Sequence, residues 1–454
     1  MEQMWLKIPS QNVIKVTAFC LLGLAAFIFF FMDCGEAPVF QEEVFSFQIR
    51  QPAVKVKLLE TEHQIQIGSH GSIMVRCFPY QGPPIDYYAA ADLLVEPSPF
   101  GLRLSQKSQG ELGTDLLRVS FFPKRDGLWL YLNGRPYRGS LEIIRDKESG
   151  SLMVLNLVHV EDYLKGVVPV EIGELSAWEM EALKAQAVAA RTYSLSRVKQ
   201  FQNKGYDLEA TVADQVYLGV FGETPLANEA VEATKGEVLT YNGELICAYY
   251  HANSGGSTEH IDKVWDQPGE DYLIAVNDRF FCSWSQNYQW KESWSKKALQ
   301  RNLNRFFSSA VDLPYGRFGN VVNLRVRRRS GSGRVEVLDV ITDWGTYRVN
   351  KDKIRWALRK ASNPNSILPS TCFDLNIKRD HEGLILQVTA TGRGNGHGVG
   401  MCQVGAIGMA RKGYSYSDIL GFYYSGVELS LDYGLSASQE EKLANLDPAS
   451  KSAP

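Results

Sequence analysis

The sequence predicts an α+β protein with mixed sheets, a long central helix, a β-rich region ahead of it and an N-terminal membrane anchor. Three observations predict this. Residues 46–150 alternate apolar and polar positions in short runs broken by Gly, Pro and Asn, as in VKVKLLE, HQIQIGS, SIMVRCF, LWLYLNG and SLEIIRD. That is the two-residue period of strands with one buried face. Residues 176–200 place Trp178, Leu183, Ala187, Val188, Ala190 and Tyr193 at roughly helical spacing. Val16–Met32 contains no charged residue, which puts it at the short edge of a membrane span.

Lys7 and Lys15 precede the apolar segment, and Asp33 and Glu36 follow it. The positive-inside bias then leaves the N-terminus in the cytoplasm and the bulk of the chain outside. Bulky Phe29–Met32 running into Asp33 make a poor cleavage site, and Asp33 spoils a lipoprotein box ending at Cys34. An uncleaved anchor is therefore favoured over a removed signal and secretion. The chain divides into an anchor at 1–35, a β-rich region at 36–125, a larger domain at 126–430 and a polar tail at 431–454. Residues 33–45 read as a spacer, and the tail as disordered.

The core of the third region lies at 150–260. It reads as a strand over 152–160, a turn, and a helix from Ser176 to about residue 200, opened by a Ser176/Glu179 capping box. A second helix follows near 226–235, then strand-like segments at Val238–Tyr241 and Leu245–His251. Residues 252–290 are loop-rich and carry Trp265, Trp284 and Trp290. Within 291–360, VVNLRVRRRS and GRVEVLDVIT form a hairpin and KDKIRWALRK a helix. Gly383–Thr391 is a strand entering a Gly-rich motif at 392–406, and Ala406–Tyr424 is mainly helical.

A chain of 454 residues with net charge −3 has no global basic field, so nucleic acid is not an expected partner. The seven cysteines (20, 34, 77, 247, 282, 372 and 402) show no CxxC spacing. Export permits disulfides, but spacing does not reveal a pairing. The glycines at 394, 396, 398 and 400 fit neither a P-loop nor a dinucleotide fingerprint.

The chemistry centres on Glu171. It follows Val167, Val168, Pro169 and Val170, an apolar lead-in to the predicted helix. Desolvation raises a carboxyl pKa, and a Glu still protonated near neutral pH is the acid that glycosidic cleavage needs. The competing reading is a solvated glutamate beside a helix cap. If Arg393–Gly400 is extended, Arg393, Asn395, His397 and Val399 share one face and the other is bare backbone. That suits close approach to a ligand, or equally packing beside the core. His251–Gly256 ends a strand in a polar turn whose groups can hydrogen-bond sugar. Ser254 as a hydrolase nucleophile with His251 or His397 is disfavoured, because no GxSxG elbow surrounds it. Asp214 is either a second carboxylate near Glu171 or a helix-orienting group. The tryptophans stack on sugar rings or fill the core. Cys247, His251, His260 and Cys282 are competent zinc ligands, and Cys402 reads as a small buried residue.

EDYLKGVV, Glu171 and EALKAQAVAARTY, all within residues 155–194, resemble the core motif of the stage II sporulation protein D (SpoIID) family. ADQVYLG, AYYHANSGGST and GNGHGVGMCQVG resemble its later motifs in the same order, and Tyr137-Arg138-Gly139 resembles its Y-R-G approach. The likeness covers about residues 125–430. Ile172 stands where Met is usual, and GELSAW replaces a Pro-containing link.

The resemblance implies a peptidoglycan lytic transglycosylase. It would cut the MurNAc-β-1,4-GlcNAc bond of peptide-stripped strands without water and leave 1,6-anhydroMurNAc ends, with Glu171 as acid and then base. It implies substrate contacts from Asp214, Gln215, Tyr217, His251, Ser254, Gly255, Gly256, Arg393, Asn395, His397 and Gln403. A reading from another class is a non-catalytic glycan-binding activator of a cell-wall amidase, and a third is a membrane-anchored wall tether. Some relatives carry a zinc pattern whose His corresponds to Asn287 here, so no required metal and no cofactor are expected. The expected partners are glycan strands, an amidase with other wall-remodelling proteins, and the membrane.

Overall fold

The computed structural model describes residues 51–433 apart from 90–91, 126, 147–148, 199–203, 311–317 and 432. The predicted anchor at Val16–Met32, the spacer and nearly all of the tail lie outside the described residues. Among the described residues no helix is long and apolar enough to cross a membrane.

The alternating region forms a twelve-stranded sheet from Ala53–Thr61 to Leu152–His159, with the short Leu208–Glu209 strand at its edge. Its period-two pattern is borne out. Val54 and Val56, Ile65 and Ile67, and Ile73 and Val75 are fully buried, while the residues between them are partly or wholly exposed. Leu152–His159 pairs antiparallel with both Ala53–Thr61 and Ser140–Arg145.

That strand passes directly into helix α1, Val160–Ile172. The sequence reading put a turn here and Glu171 in an apolar lead-in just before the next helix. Instead Glu171 lies on the last turn of α1. Glu161 and Asp162 in the first turn suit a helix N-terminus. The signal was hidden by Val-Val-Pro-Val, since β-branched residues and an internal Pro argue against a helix. Pro169 removes one backbone donor to the preceding turn, and the helix ends three residues later at Ile172, with Gly173 following at φ 91°.

The next helix begins after a 3₁₀ turn at Ala177–Glu179, where the Glu179 carboxylate accepts from Ser176 N–H at 2.8 Å as the capping box predicts. This helix, α2, spans Met180–Ser196. Its buried alanines let α1 and α3 (Pro225–Ala233) pack against it.

A second hydrophobic core occupies residues 290–390 and centres on Trp294, Leu303, Phe307, Leu338, Ile354 and Val388. It joins two three-stranded sheets to helices α4 (Lys296–Ala310) and α5 (Lys353–Leu358). The predicted hairpin is present, with Val326 opposite Leu338. α4 was not singled out in the sequence, although Leu299, Leu303 and Phe307 recur every fourth residue on its buried face. The chain then returns to the first core through the Gly-rich motif, helix α6 (Gln403–Ala410) and helix α7 (Tyr416–Tyr423). Tyr250–His251 and Met401–Cys402, about 150 residues apart, pair as parallel strands.

The Gly-rich motif is not a plain extended strand. Gly394, Gly396, Gly398 and Gly400 all have positive φ, from 69° to 113°. A Cβ at Gly400 would lie 2.0 Å from the Tyr249 carbonyl oxygen, and one at Gly394 would lie 2.7 Å from that of Asn253. The alternation therefore serves close backbone approach to the Tyr249–Gly255 segment, one of the two readings left open by the pattern.

Candidate active site

Glu171 is half-buried where α1, the loop at 214–217, α2 and α6 converge. The Val216 N–H donates to Glu171 Oε1 at 2.7 Å. The side-chain amide of Gln403, first residue of α6, lies near enough to the carboxylate to favour its ionised form. Burial raises the Glu171 pKa, and these two donors oppose the rise without cancelling it. Gln403 Nε2 in turn donates to Gln186 Oε1 on α2 at 3.4 Å. Gln186 and the Val216 N–H were missed by sequence reasoning. A fully buried Gln in the alanine-rich run KAQAVAAR was the available signal for the first; a backbone donor leaves none.

The loop that presents Val216 N–H is held by the predicted ADQVY residues, which turn inward. Asp214 accepts from the Tyr193 hydroxyl (3.1 Å) and the Glu209 N–H (2.9 Å). Gln215, fully buried, accepts from Tyr163 (3.0 Å) and Ser194 (2.8 Å) and donates to the Tyr250 hydroxyl at 2.9 Å. Tyr217 donates to Asn156 Oδ1 at 3.0 Å, and its ring lies against Gly166 of α1. These three residues therefore position the loop beside Glu171, and their polar groups are committed within the protein.

The HANSGG turn is likewise internal. Ser254 Oγ donates to Asp278 Oδ1 at 2.5 Å and accepts from the Gly256 N–H at 3.0 Å. Asp278 also accepts from the Tyr423 hydroxyl (3.1 Å) and the Cys282 thiol (3.3 Å). The Ser254 hydroxyl thus points at a carboxylate rather than an imidazole, which removes the geometry of a serine nucleophile. Gly255 and Gly256 adopt positive φ, and the buried Arg334 donates to the Ser254 carbonyl at 2.6 Å.

His251 and His397 do not open onto the site as proton carriers. His397 Nε2 donates to the Tyr250 carbonyl and Nδ1 accepts from the Val399 N–H, both at 3.0 Å. Burial pushes its pKa down to about 4 and pushes His251 well below the usual range. The hydrogen-bonded packing role wins over the cleft-lining one, because both ring nitrogens of His397 are engaged by backbone. A stability consequence follows. An unfolded imidazole binds a proton near pH 6.5, whereas the folded ones resist it. Stability is therefore expected to be full above pH 6.5 and to fall as pH drops towards 4. Urea midpoints measured across that range should decline less steeply in His397→Gln.

Within the Gly-rich motif, Asn395 is exposed, and Arg393, Gly396 and His397 are partly exposed. Asn395 and Asn253 exchange backbone hydrogen bonds at 2.7 and 2.8 Å. Among the described residues Cys247, His251, His260 and Cys282 do not gather. The metal-competent side chains that do converge are Asp278, Cys282 and Cys402, with ligand atoms within 4.8 Å. Cys402 is buried and caps α6, its Sγ accepting from the Gly405 and Ser254 N–H groups, and burial lifts its thiol pKa. Trp265 is packed against Tyr249 and His397 and Trp290 against Gly392, but Trp284 is exposed.

A carboxyl on the last turn of α1, facing α2, a Gln from the C-terminal motif and the ADQVY loop, sets the frame for comparison with known proteins. The stage II sporulation protein family matches residues 148–241, which contain α1, α2 and the loop, and a domain of unknown function (DUF8618) matches 271–400, which contains the second core. The amidase enhancer of Bacillus subtilis is 32% identical over 332 residues, 66% of this chain but 44% of that protein's length. Stage II sporulation protein D of Bacillus subtilis is 29% identical over 288 residues, 60% of this chain and 75% of the relative. An uncharacterized protein of Brachyspira hyodysenteriae is 31% identical over 384 residues, 84% of this chain and 94% of its own length. The family match takes in Glu171 and Val216, and the chain belongs to the stage II sporulation protein D family.

Proposed function

We propose that this protein remodels the cell wall as a peptidoglycan lytic transglycosylase acting on peptide-stripped glycan strands. The observation that carries the reading is Glu171: a half-buried carboxyl with a raised pKa, held by the Val216 N–H and neighboured by the Gln403 amide, both of which favour its ionised form. Protonated Glu171 gives its proton to the glycosidic oxygen as the bond to the muramic anomeric carbon breaks. Its carboxylate then takes the proton of the muramic 6-hydroxyl, whose oxygen closes on that carbon. The acid is regenerated and no water is consumed. Because the attacker belongs to the same sugar, its effective concentration is high and a second carboxylate to activate water is not required. The commitment of Asp214 to internal donors agrees with a one-carboxyl mechanism. The apolar N-terminal segment would anchor the protein with this domain outside the cytoplasmic membrane.

The likeness to a protein named amidase enhancer favours a second reading, in which the domain binds glycan and stimulates an amidase. The two are separated by incubating the purified chain with peptide-free strands and analysing the products by mass spectrometry. Anhydromuramic ends formed by the protein alone are expected. Binding without soluble product, together with faster stem-peptide release when an amidase is added, would overturn the enzyme reading in favour of the activator. Reducing muramic ends would make the protein a hydrolase instead.

A further inference from the structure

We infer that Trp178, Arg411 and Trp284 form a sugar-stacking ledge that holds the glycan strand away from the bond at Glu171. This rests on the glycan-binding reading above. The Arg411 guanidinium lies 3.8 Å from the Trp284 ring centre and 5.3 Å from that of Trp178. Both indoles remain open: Trp178 is 63% and Trp284 47% exposed. Large exposed aromatics held in place by other groups mark recognition surfaces more often than accidents of packing.

The ledge is rigid. Arg411 is clamped by Glu179, with Nε and Nη2 at 2.8 and 2.7 Å from Oε1. Glu179 is buried and its other oxygen caps Ser176. The Trp284 indole N–H donates to the Val404 carbonyl at 3.3 Å. Each aromatic therefore has its orientation set before any ligand arrives, which lowers the entropy lost on binding.

The ledge is also continuous with the Glu171 site. Val404, which holds Trp284, directly follows Gln403, whose amide lies near the Glu171 carboxylate. Arg411 caps the far end of the same helix, α6. Eight helical residues span about 12 Å, so the platform runs beside α6 over the length of a short oligosaccharide. Trp178 sits in the 3₁₀ turn that packs on α6, six residues after the end of α1.

The chemistry selects the occupant. Glu179 cancels the Arg411 charge, so the surface has little to offer an acidic peptide. Flat indole faces suit the C–H face of a pyranose ring, whose hydroxyls stay in water at the rim. A neutral aromatic ledge beside an acid that addresses a glycosidic bond fits a further sugar of the same strand.

The test uses the full chain carrying Glu171→Gln, so that strands are bound without being cut, with peptide-free glycan strands as the probe in calorimetry. Trp178→Ala and Trp284→Ala are each expected to weaken binding about tenfold, the size of one aromatic contact, and Trp178→Phe to restore most of the loss. With Glu171 present, the same substitutions should lower kcat/KM on long strands more than on oligosaccharides too short to reach the ledge. Thermal melts matching the parent show that each variant is folded, as exposed positions predict. Unchanged strand affinity in both alanine variants would overturn the ledge and leave the proposed function standing. Unchanged strand affinity with weakened binding of an amidase would overturn it in favour of a protein-docking face. No binding of strands by the parent would overturn the glycan reading itself, and the ledge with it.

Discussion

Glu171→Gln is expected to slow strand cleavage by a factor of about 100 to 10,000, the contribution of a positioned acid–base group. Gln keeps the size and can still accept from the Val216 N–H, but it has no proton to give. Anhydromuramic product quantified by mass spectrometry checks the rate. The pH profile carries the same signature. The donor is the protonated acid, so the wild-type rate falls as pH rises through the elevated Glu171 pKa.

Stability runs in the same direction. A carboxyl whose folded pKa lies above its unfolded one contributes stability at low pH, and that contribution is lost as pH rises through the folded value. Glu171→Gln removes a carboxyl whose ionised form burial penalises. It should therefore melt no lower than wild type, so that lost activity is not lost folding. Cleavage at the wild-type rate by the Gln variant would remove Glu171 from the mechanism.

What could be read in the sequence, and what could not, follows the range of the interactions involved. The sheet at 53–159 was visible because burial on one face writes a two-residue period into the chain. The Ser176/Glu179 cap was visible because both partners lie within one turn. α1 was not, since its local signals conflict: Val167, Val168 and Pro169 speak for an extended chain, and only packing against α2 makes the helix the better solution. The residues 214, 215 and 217 were expected to contact substrate, and their loop borders Glu171 through the Val216 N–H, yet a motif does not say which way its side chains point. Gln215 faces Tyr163, Ser194 and Tyr250, contacts that span 21 to 52 residues of chain. The alternating glycines suggested an extended strand, whereas their positive φ values come from the neighbouring backbone at Tyr249–Gly255. The second core at 290–390 was legible only in part, as the hairpin, α5 and the strand at 383–391, and its separateness depends on contacts among its elements.

The second large effect is expected at Arg191, a residue that sequence reasoning passed over. Its guanidinium is fully buried and forms a bidentate pair with Glu161 at 2.9 and 2.6 Å. It also donates to the carbonyls of Glu237 and Val231, and Glu161 accepts from the Gly236 N–H. One ion pair thus ties the start of α1 to α2 and to the turn after α3. Arg191→Ala strands the Glu161 carboxylate in the core and is expected to cost about 3–5 kcal/mol, as is usual when one partner of a buried pair is removed. Urea unfolding measures it. Replacing both charges at once, Glu161→Leu with Arg191→Met, should recover much of the loss, because no unpaired charge then remains. α1 carries Glu161 at one end and Glu171 at the other. Loosening the pair should therefore lower activity mainly near the melting temperature and spare it in the cold. An Arg191→Ala protein that unfolds at the wild-type urea concentration would show that α1 is held by its apolar face alone.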